Sequence, residues 1–441
     1  MLAQLSDPEV YRVAYENVRR RQRRRGDHTP LTAASLSVLE LPPDGTALLE
    51  RLAREVSTQY YAFGPVVERQ LLRGGKLRKL QRASPLDDIV LGALARVLAQ
   101  LLEPSLSPCL YSYREGRSAL QALRALRAYL RAHRRARPDP RQRGLYVIRR
   151  DIAGYGDAIP TGPGSPLFRL LHEGLTRAGA APSEQVMQWL RAAFRPPLVR
   201  GEWLEQPLIG VPTGSPLQPL ACNLYLTPLD ALCEAVPGAF YARFGDDILF
   251  AHPDLAVARE VCTRMDVLLC ELGLRANAAK SCERYFNLPG RAREPPFQGC
   301  AHLEYLGVRV DFRGNFGLKR DKWRALLRDV RMRLARSASL LAGDREGQRL
   351  HGLVQVVEQA LAADGPLAAA AAERLHRLVD DRVQLRELDY RLWRALAESC
   401  DGTTDVRAFR RLPPRRLREA GLSSLVARRN RTAVARGRGA S

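Results

Sequence analysis

Ala239–His252, AFYARFGDDILFAH, sets one glycine and two aspartates between two short β-prone runs. Gly245-Asp246 in that setting predicts a two-residue hairpin. Glycine tolerates the positive φ that the first corner of a type II′ turn demands. Phe240, Ala242 and Phe244 then share one face of the first strand, and Ile248 and Phe250 one face of the second. Asp246 and Asp247 sit together at the tip. Adjacent carboxylates repel unless a cation lies on them, and Mg²⁺ is the usual partner. An exposed acidic turn would carry the same three letters, so the rest of the chain has to decide.

The chain has 441 residues, with 70 Lys and Arg against 47 Asp and Glu, a net charge of +23. It is long enough for a large core and more than one subdomain. The excess of cations favours a polyanion, nucleic acid first and an acidic membrane surface second. No apolar run reaches spanning length, and MLAQLSDPEVYR does not read as a signal peptide, so no membrane partner is expected. The eight cysteines form no Cys-x-x-Cys pair. They read as reduced, mostly buried thiols of a cytoplasmic protein, with neither zinc site nor disulfide frame.

Working outward, apolar spacing predicts helices over Glu9–Arg25 and Gly45–Tyr60, the first ending in the basic run Arg19–Arg25. Gly74-Gly75 signals a turn ringed by Arg73, Lys76, Arg78, Lys79 and Arg82, with Lys76 and Arg78 pointing one way if that run is a strand. A helix follows from Asp87 to Glu103 behind Ser84-Pro85. LYSYREGRSALQAL (110–123) gives a basic loop and a helix capped near Ser118, and Arg124–Arg143 a basic helix running into a linker. YVIRRDIAGY (146–155) reads as a strand with Asp151 near its end. LIGVPTGSPLQPLACNLYLTPLDALCEA (208–235) reads as a loop and one long apolar helix, and Leu255–Leu272 as another helix. Lys280 then falls in a loop, and 304–318 reads as a second hairpin turning at Arg313-Gly314-Asn315. From Arg320 the pattern is helical to Cys400. Trp323, Leu326, Leu327, Val330 and Leu334 form an apolar stripe beside the basic stripe Arg320, Arg324, Arg328 and Arg331. Residues 401–441 are a basic tail in which Leu417, Leu422 and Leu425 offer a docking face.

One carboxylate at a strand end and a pair on a hairpin have the composition of a two-metal phosphoryl-transfer site, which needs carboxylates from separate strands. The ordered set of motifs resembles reverse transcriptases of the bacterial group II intron type over about residues 9–340. KLRKLQRASPLDDIV is similar to the fingers motif, YSYREGRSALQAL to the Gly-Phe-Arg-x-Gly-x-Ser stretch, and RRDIAGYGDAI to motif A. GVPTGSPLQPLACNLYL is similar to motif B, RFGDDILF to motif C, LGLRANAAKS to motif D and EYLGVRV to the primer-grip hairpin.

The resemblance implies an α/β (α+β) right-hand polymerase. It sets a helical extension over 1–70, fingers and an antiparallel palm over 71–312, a helical thumb over 313–400, and the tail after that. It implies two Mg²⁺, with Mn²⁺ as a substitute, held by Asp151, Asp246, Asp247 and the Ile152 carbonyl. It implies a triphosphate clamp of Arg73, Lys76 and Arg78, and a proton from Lys280 to the leaving pyrophosphate. Tyr155, Gly156, Gly214 and Gly245 fall at nucleotide-contacting positions. Arg320, Arg324, Arg328 and Arg331 would face the backbone of an RNA template and primer duplex. The tail would bind a structured noncoding RNA or close on the thumb.

Departures from the family pattern are Thr213 for the motif B Gln, Gly245 for the motif C Ala, and Gly156 for the aromatic five residues after Asp151. In the family that aromatic rejects the 2′-OH by steric clash. Gly156 and Gly245 therefore predict weak discrimination, with dNTPs and NTPs both used, unless Tyr155 swings into the gap or the backbone shifts by one residue. The competing reading is a degenerate polymerase-fold module that grips RNA without chemistry. Phage defence and CRISPR adaptation are both open as pathways.

Overall fold

The computed structural model describes residues 1–25, 41–73, 76–287, 295–361, 378–401 and 410–430. The side chains of 24, 25, 71–73, 76, 78 and 401 are outside that description. The chain divides into two compact units, Met1–Arg124 with Leu145–Arg284, and Ala125–Gly144 with Tyr285–Ser441. Arg284 thus ends the first unit, and 125–144 belongs to the second.

The first unit is built on two sheets. One has the order β2-β1-β4-β5, from β1 (Val66–Arg73), β2 (Lys76–Arg82), β4 (Leu198–Arg200) and β5 (Trp203–Glu205). The other runs β6-β7-β3-β8, from β3 (Leu145–Asp151), β6 (Phe240–Phe244), β7 (Asp247–His252) and β8 (Cys282–Phe286), which crosses the division. Both β3–β7 and β6–β7 are antiparallel. The first four residues of β6 do not alternate between a wet and a dry face. Phe240, Tyr241, Ala242 and Arg243 are all buried, because helices cover the sheet. Leu255–Glu271 packs on β3 and β7 through Ala258, Val261, Met265 and Leu269. Ser84 caps the helix Pro85–Leu102 by accepting from the Asp87 amide, with Pro85 at its first position.

Three expectations need correction here. The long apolar helix after motif B is two helices, Gln218–Tyr225 and Thr227–Glu234, since Pro228 cannot donate to the turn before it. The β4–β5 hairpin carries no strong strand signal in three-residue arms and was not anticipated. All eight cysteines are free, yet only Cys222 and Cys233 are buried, and Cys270 is exposed.

In the second unit, β10 (His302–Tyr305), β11 (Val308–Asp311) and β12 (Phe316–Leu318) follow the short β9 (Gln298–Cys300) and make an antiparallel meander. The expected hairpin is therefore its second half, turning at Gly314 (φ +77°). Helices Arg320–Leu340, Glu346–Leu361, Arg382–Asp401 and Pro414–Glu419 follow. Leu326, Val330, Leu334, Leu353, Val357 and Leu392 lead their common core. Leu417 and Leu425 are buried in that core and Leu422 packs against it, so the described part of the tail docks. Arg320, Arg324, Arg328 and Arg331 are exposed beside the buried stripe. Among the described residues no helix is long and apolar enough to cross a membrane.

Candidate active site

The β6–β7 turn forms at the expected two residues. Phe244 pairs with Asp247, and Gly245 takes φ +65°. Beneath it Arg243 is wholly buried and forks onto Asp230, Nε to Oδ1 at 2.7 Å and Nη2 to Oδ2 at 2.6 Å. Burial opposes that charge, but the Asp230 carboxylate more than offsets it and holds the guanidinium above its ordinary value. Arg243 also donates to the Asn223 carbonyl at 2.9 Å. Asn223 in turn meets Ser112, whose Oγ accepts from the Gly245 amide at 2.8 Å. The tip is thus fixed from below by buried polar bonds.

Asp151 ends β3 directly opposite Asp247 in register, and direct opposites share a face. Lys280 places its ammonium 2.9 Å from both Asp151 oxygens. The backbone brings it there: Asn277 donates to the Asp151 carbonyl at 2.7 Å, and Ala153 to the Arg275 carbonyl at 3.0 Å. The Ile152 carbonyl takes no part in those two bonds. Burial pushes the Asp246 carboxyl above its ordinary 3.8. Its own backbone amide and Lys280 oppose the rise, and the Asp151 and Asp247 charges add to it. Asp247, expected beside the metal, is paired here by Arg149, which forks onto it at 3.0 and 3.2 Å. Two residues back on the same face of β3, Arg149 is placed by the strand period to do so. Among the described residues no three His, Cys, Asp or Glu side chains group as a metal site. Asp151 and Asp246 nevertheless form an acidic pair, and the Lys280 ammonium stands where a cation belongs.

Around this pair the nucleotide residues fall unevenly. Tyr155 is not at the site. Its ring is buried and its hydroxyl donates to the Cys222 carbonyl at 2.6 Å, so it does not swing toward Gly156. A Cβ on Gly156 would lie 2.4 Å from Gln218 Nε2. Gln218 was missed by the sequence reading. Its amide donates to the Val211 carbonyl at 3.1 Å and Thr213 Oγ1 at 3.3 Å, and Thr213 donates to Asp157 at 2.7 Å. Polar Gln218 and Asn223 in an otherwise apolar helix were the available signal. Gly214 (φ +103°) lies against Leu80, and Gln81 and Thr213 exchange bonds of 2.9 and 3.1 Å, which tie the motif B loop to β2. A cleft of about 200 Å³ opens there, lined by Lys79, Arg195, Asp157 and Thr213. In β1–β2, Arg73 pairs with Lys76 and Leu71 with Arg78 in register, while the three cationic side chains lie outside the described residues. Tyr113 lies beside Gly245, its phenol pushed up by burial and then by the Cys222 and Asp246 charges.

Residues 175–310 match the family model described as reverse transcriptase (RNA-dependent DNA polymerase). The match includes the motif B loop, both hairpin aspartates and Lys280, and begins after Asp151. The chain is 25% identical over 203 residues to the "Uncharacterized 91 kDa protein in cob intron" of Schizosaccharomyces pombe, covering 45% of this chain and 22% of that one. It is 24% identical over 187 residues to the "Putative COX1/OXI3 intron 2 protein" of Saccharomyces cerevisiae, covering 42% and 20%. The chain thus spans about a fifth of the length of these curated relatives. Among solved structures it is similar to the telomerase from Candida Tropicalis in complex with a TWJ fragment of telomeric RNA. That likeness has a TM-score of 0.47 and 11% identity, over 82% of this chain and 68% of that one.

Proposed function

We propose that this chain is an RNA-directed DNA polymerase, a nucleotidyltransferase that extends a primer on an RNA template. The observation that carries the reading is the Asp151–Asp246 pair with Lys280 on it, in a chain whose 175–310 stretch matches the reverse transcriptase model. In the reaction the primer 3′-oxygen bonds to the α-phosphorus, the bond to pyrophosphate breaks, and the hydroxyl proton is lost. Asp151, Asp246 and the Ile152 carbonyl would hold Mg²⁺, or Mn²⁺ in its place. Bound metal there would lower the pKa of the attacking hydroxyl and offset charge on the leaving group. Asp247, neutralised by Arg149, aligns β7 against β3. Lys280 would exchange its bond to Asp151 for one to the pyrophosphate and supply that group's proton.

Arg73, Lys76 and Arg78 are assigned to the triphosphate, and the exposed stripe Arg320, Arg324, Arg328 and Arg331 to the duplex backbone. Gly156, with no side chain of its own, leaves sugar selection to Gln218. NTPs are then expected beside dNTPs. The test is primer extension on an RNA template with Mg²⁺ and with Mn²⁺. Asp151→Asn and Asp246→Asn should each lower the rate by about 10³-fold or more. Wild-type protein that binds the duplex and extends nothing would instead support the second reading, an RNA-gripping module. The Arg149–Asp247 pairing is the observation that favours that second reading.

A further inference from the structure

Tyr113 stands at a position that an L-residue avoids, with φ +52°. Left-handed backbone is costly for an aromatic residue and persists only where the surroundings over-determine it. The surroundings here do so. Ser112 is fully buried and bonded to Asn223 and to the Gly245 amide. On the other side Arg114, with its side chain 5% exposed, reaches Glu103 at 2.6 Å and the Leu110 carbonyl at 3.0 Å. Just before them, Tyr111 donates to the Arg243 carbonyl at 2.9 Å and Arg243 to the Cys109 carbonyl at 3.0 Å. The segment is pinned to β6 along its length. Yet the ring that it carries is 64% exposed.

That exposed ring lies over the one corner of the turn that has no side chain. Tyr113 Cε2 is 3.8 Å from where a Cβ of Gly245 would stand, and the Asp246 carboxylate is the next residue. A buried polar frame that holds an aromatic ring in a strained, wet position beside the Asp246 carboxylate does not serve packing. It displays a flat apolar surface to something that arrives. Aromatic rings at nucleic-acid sites stack on bases whatever the sequence.

Resting on the polymerase reading above, we propose that Tyr113 is a positioning residue that stacks on the primer-terminal nucleotide and holds its 3′-hydroxyl at Asp246. The side of the site decides which reactant it meets. Lys280 lies on Asp151 and marks the end where pyrophosphate departs. The ring lies on the Gly245–Asp246 side, where the strand end must enter. The hydroxyl of Tyr113 has no part in the contact, so the ring alone matters.

The experiment uses the full chain and a duplex of RNA template and DNA primer with 2-aminopurine at the primer 3′ end. A stacked 2-aminopurine is dark, so its fluorescence reports the contact without any chemistry, and it is read in Asp246→Asn protein as well as wild type. Tyr113→Gly is the informative variant, because glycine is at ease at this φ and should not lower the melting temperature. In wild type and Tyr113→Phe the probe should be quenched on binding, and in Tyr113→Gly it should stay bright. Primer-duplex Kd should rise about 5- to 150-fold in Tyr113→Gly, the span expected for one lost base stack, and stay within about twofold in Tyr113→Phe. The nucleotide KM should be unchanged. A bright probe in wild type would overturn the proposal. So would unchanged primer affinity in Tyr113→Gly, an equal loss in Tyr113→Phe, or an effect on nucleotide KM alone. Quenching without extension would leave the stacking assignment standing and remove only the polymerase reading.

Discussion

Asp230→Ala should be among the most damaging single changes in the first unit, although residue 230 makes no contact with the proposed substrates. Arg243 is 0% exposed and Asp230 2%, and each supplies the other's main partner through two bonds of 2.6 and 2.7 Å. Tyr241 adds a third bond to the same carboxylate at 2.6 Å. Removing the carboxylate leaves a buried guanidinium uncompensated, which costs about 3–5 kcal/mol. At 1.36 kcal/mol per factor of ten, that is a rise of about 150- to 5,000-fold in amide exchange from β6 and β7 wherever those strands open with the unit. Hydrogen exchange of the 240–252 segment is the assay, since it reads this unit alone. Arg243→Met combined with Asp230→Leu should recover most of the loss, because apolar replacement of a whole buried pair is close to neutral. Exchange within about threefold of wild type in Asp230→Ala, or a double variant as unstable as the sum of the singles, would refute the reasoning.

Replacing Arg324 and Arg328 with serine should weaken binding to all duplex sequences alike and reduce the salt slope by up to about 1.8, at about 0.9 per phosphate contact. An unchanged slope would send that helix face to a protein partner. Gly156→Phe alone should impair extension with ATP and dATP equally, because its Cβ would lie 2.4 Å from Gln218 Nε2. Gly156→Phe with Gln218→Ala should recover only part of the extension and raise the preference for dATP, read by competition on one template. Asp389 accepts from the Leu425 amide at 2.8 Å, and burial raises its carboxyl above the ordinary 3.8 against the pull of the Leu425 and Val426 amides. Its native state therefore binds the proton more tightly than the unfolded chain, and stability rises as pH falls from neutral through the folded value. Asp389→Asn should flatten that rise and be no less stable at neutral pH, checked by thermal unfolding across an acidic pH series.

The hairpin tip and the strand end at Asp151 were legible because local rules decide them. A Gly-Asp between β-prone runs has few other conformations, and the apolar run Leu145–Ile148 starts the strand that Asp151 ends. The stripes of the Arg320–Leu340 helix were legible for the same reason, since the apolar period matches the helix and leaves the arginines beside it exposed. The ion pairs were not legible. Whether Asp247 meets a metal or Arg149 depends on the register of β3 against β7, with residues 98 positions apart in sequence. Nothing local to the apolar strand around Arg243 signals its partner, and Asp230, on a separate helix, pairs with it in the buried state. Tyr155 and Gly156 were adjacent candidates for one gap. The helical turn Tyr155–Ala158 points the tyrosine inward, so proximity in sequence misled.

Gly156 and Gln218 make sense only as one exchange. The space above Gly156 is filled, but from a different segment and by an amide in place of a ring. The same amide donates to the Val211 carbonyl and to Thr213, while Thr213 donates to Asp157 on the short helix that begins beside Gly156. On the proposed reading, the group that selects the sugar is therefore also the one that holds the Val211–Thr213 loop to Asp157. A ring at 156 would act on the sugar through its own bulk alone. Gln218 cannot be removed without loosening Val211–Thr213, and through Thr213 the bond to Gln81 on β2. On the proposed reading, sugar choice and loop position are coupled in this chain. A Gln218→Ala variant should accordingly raise the nucleotide KM for both sugars before it alters the ratio between them.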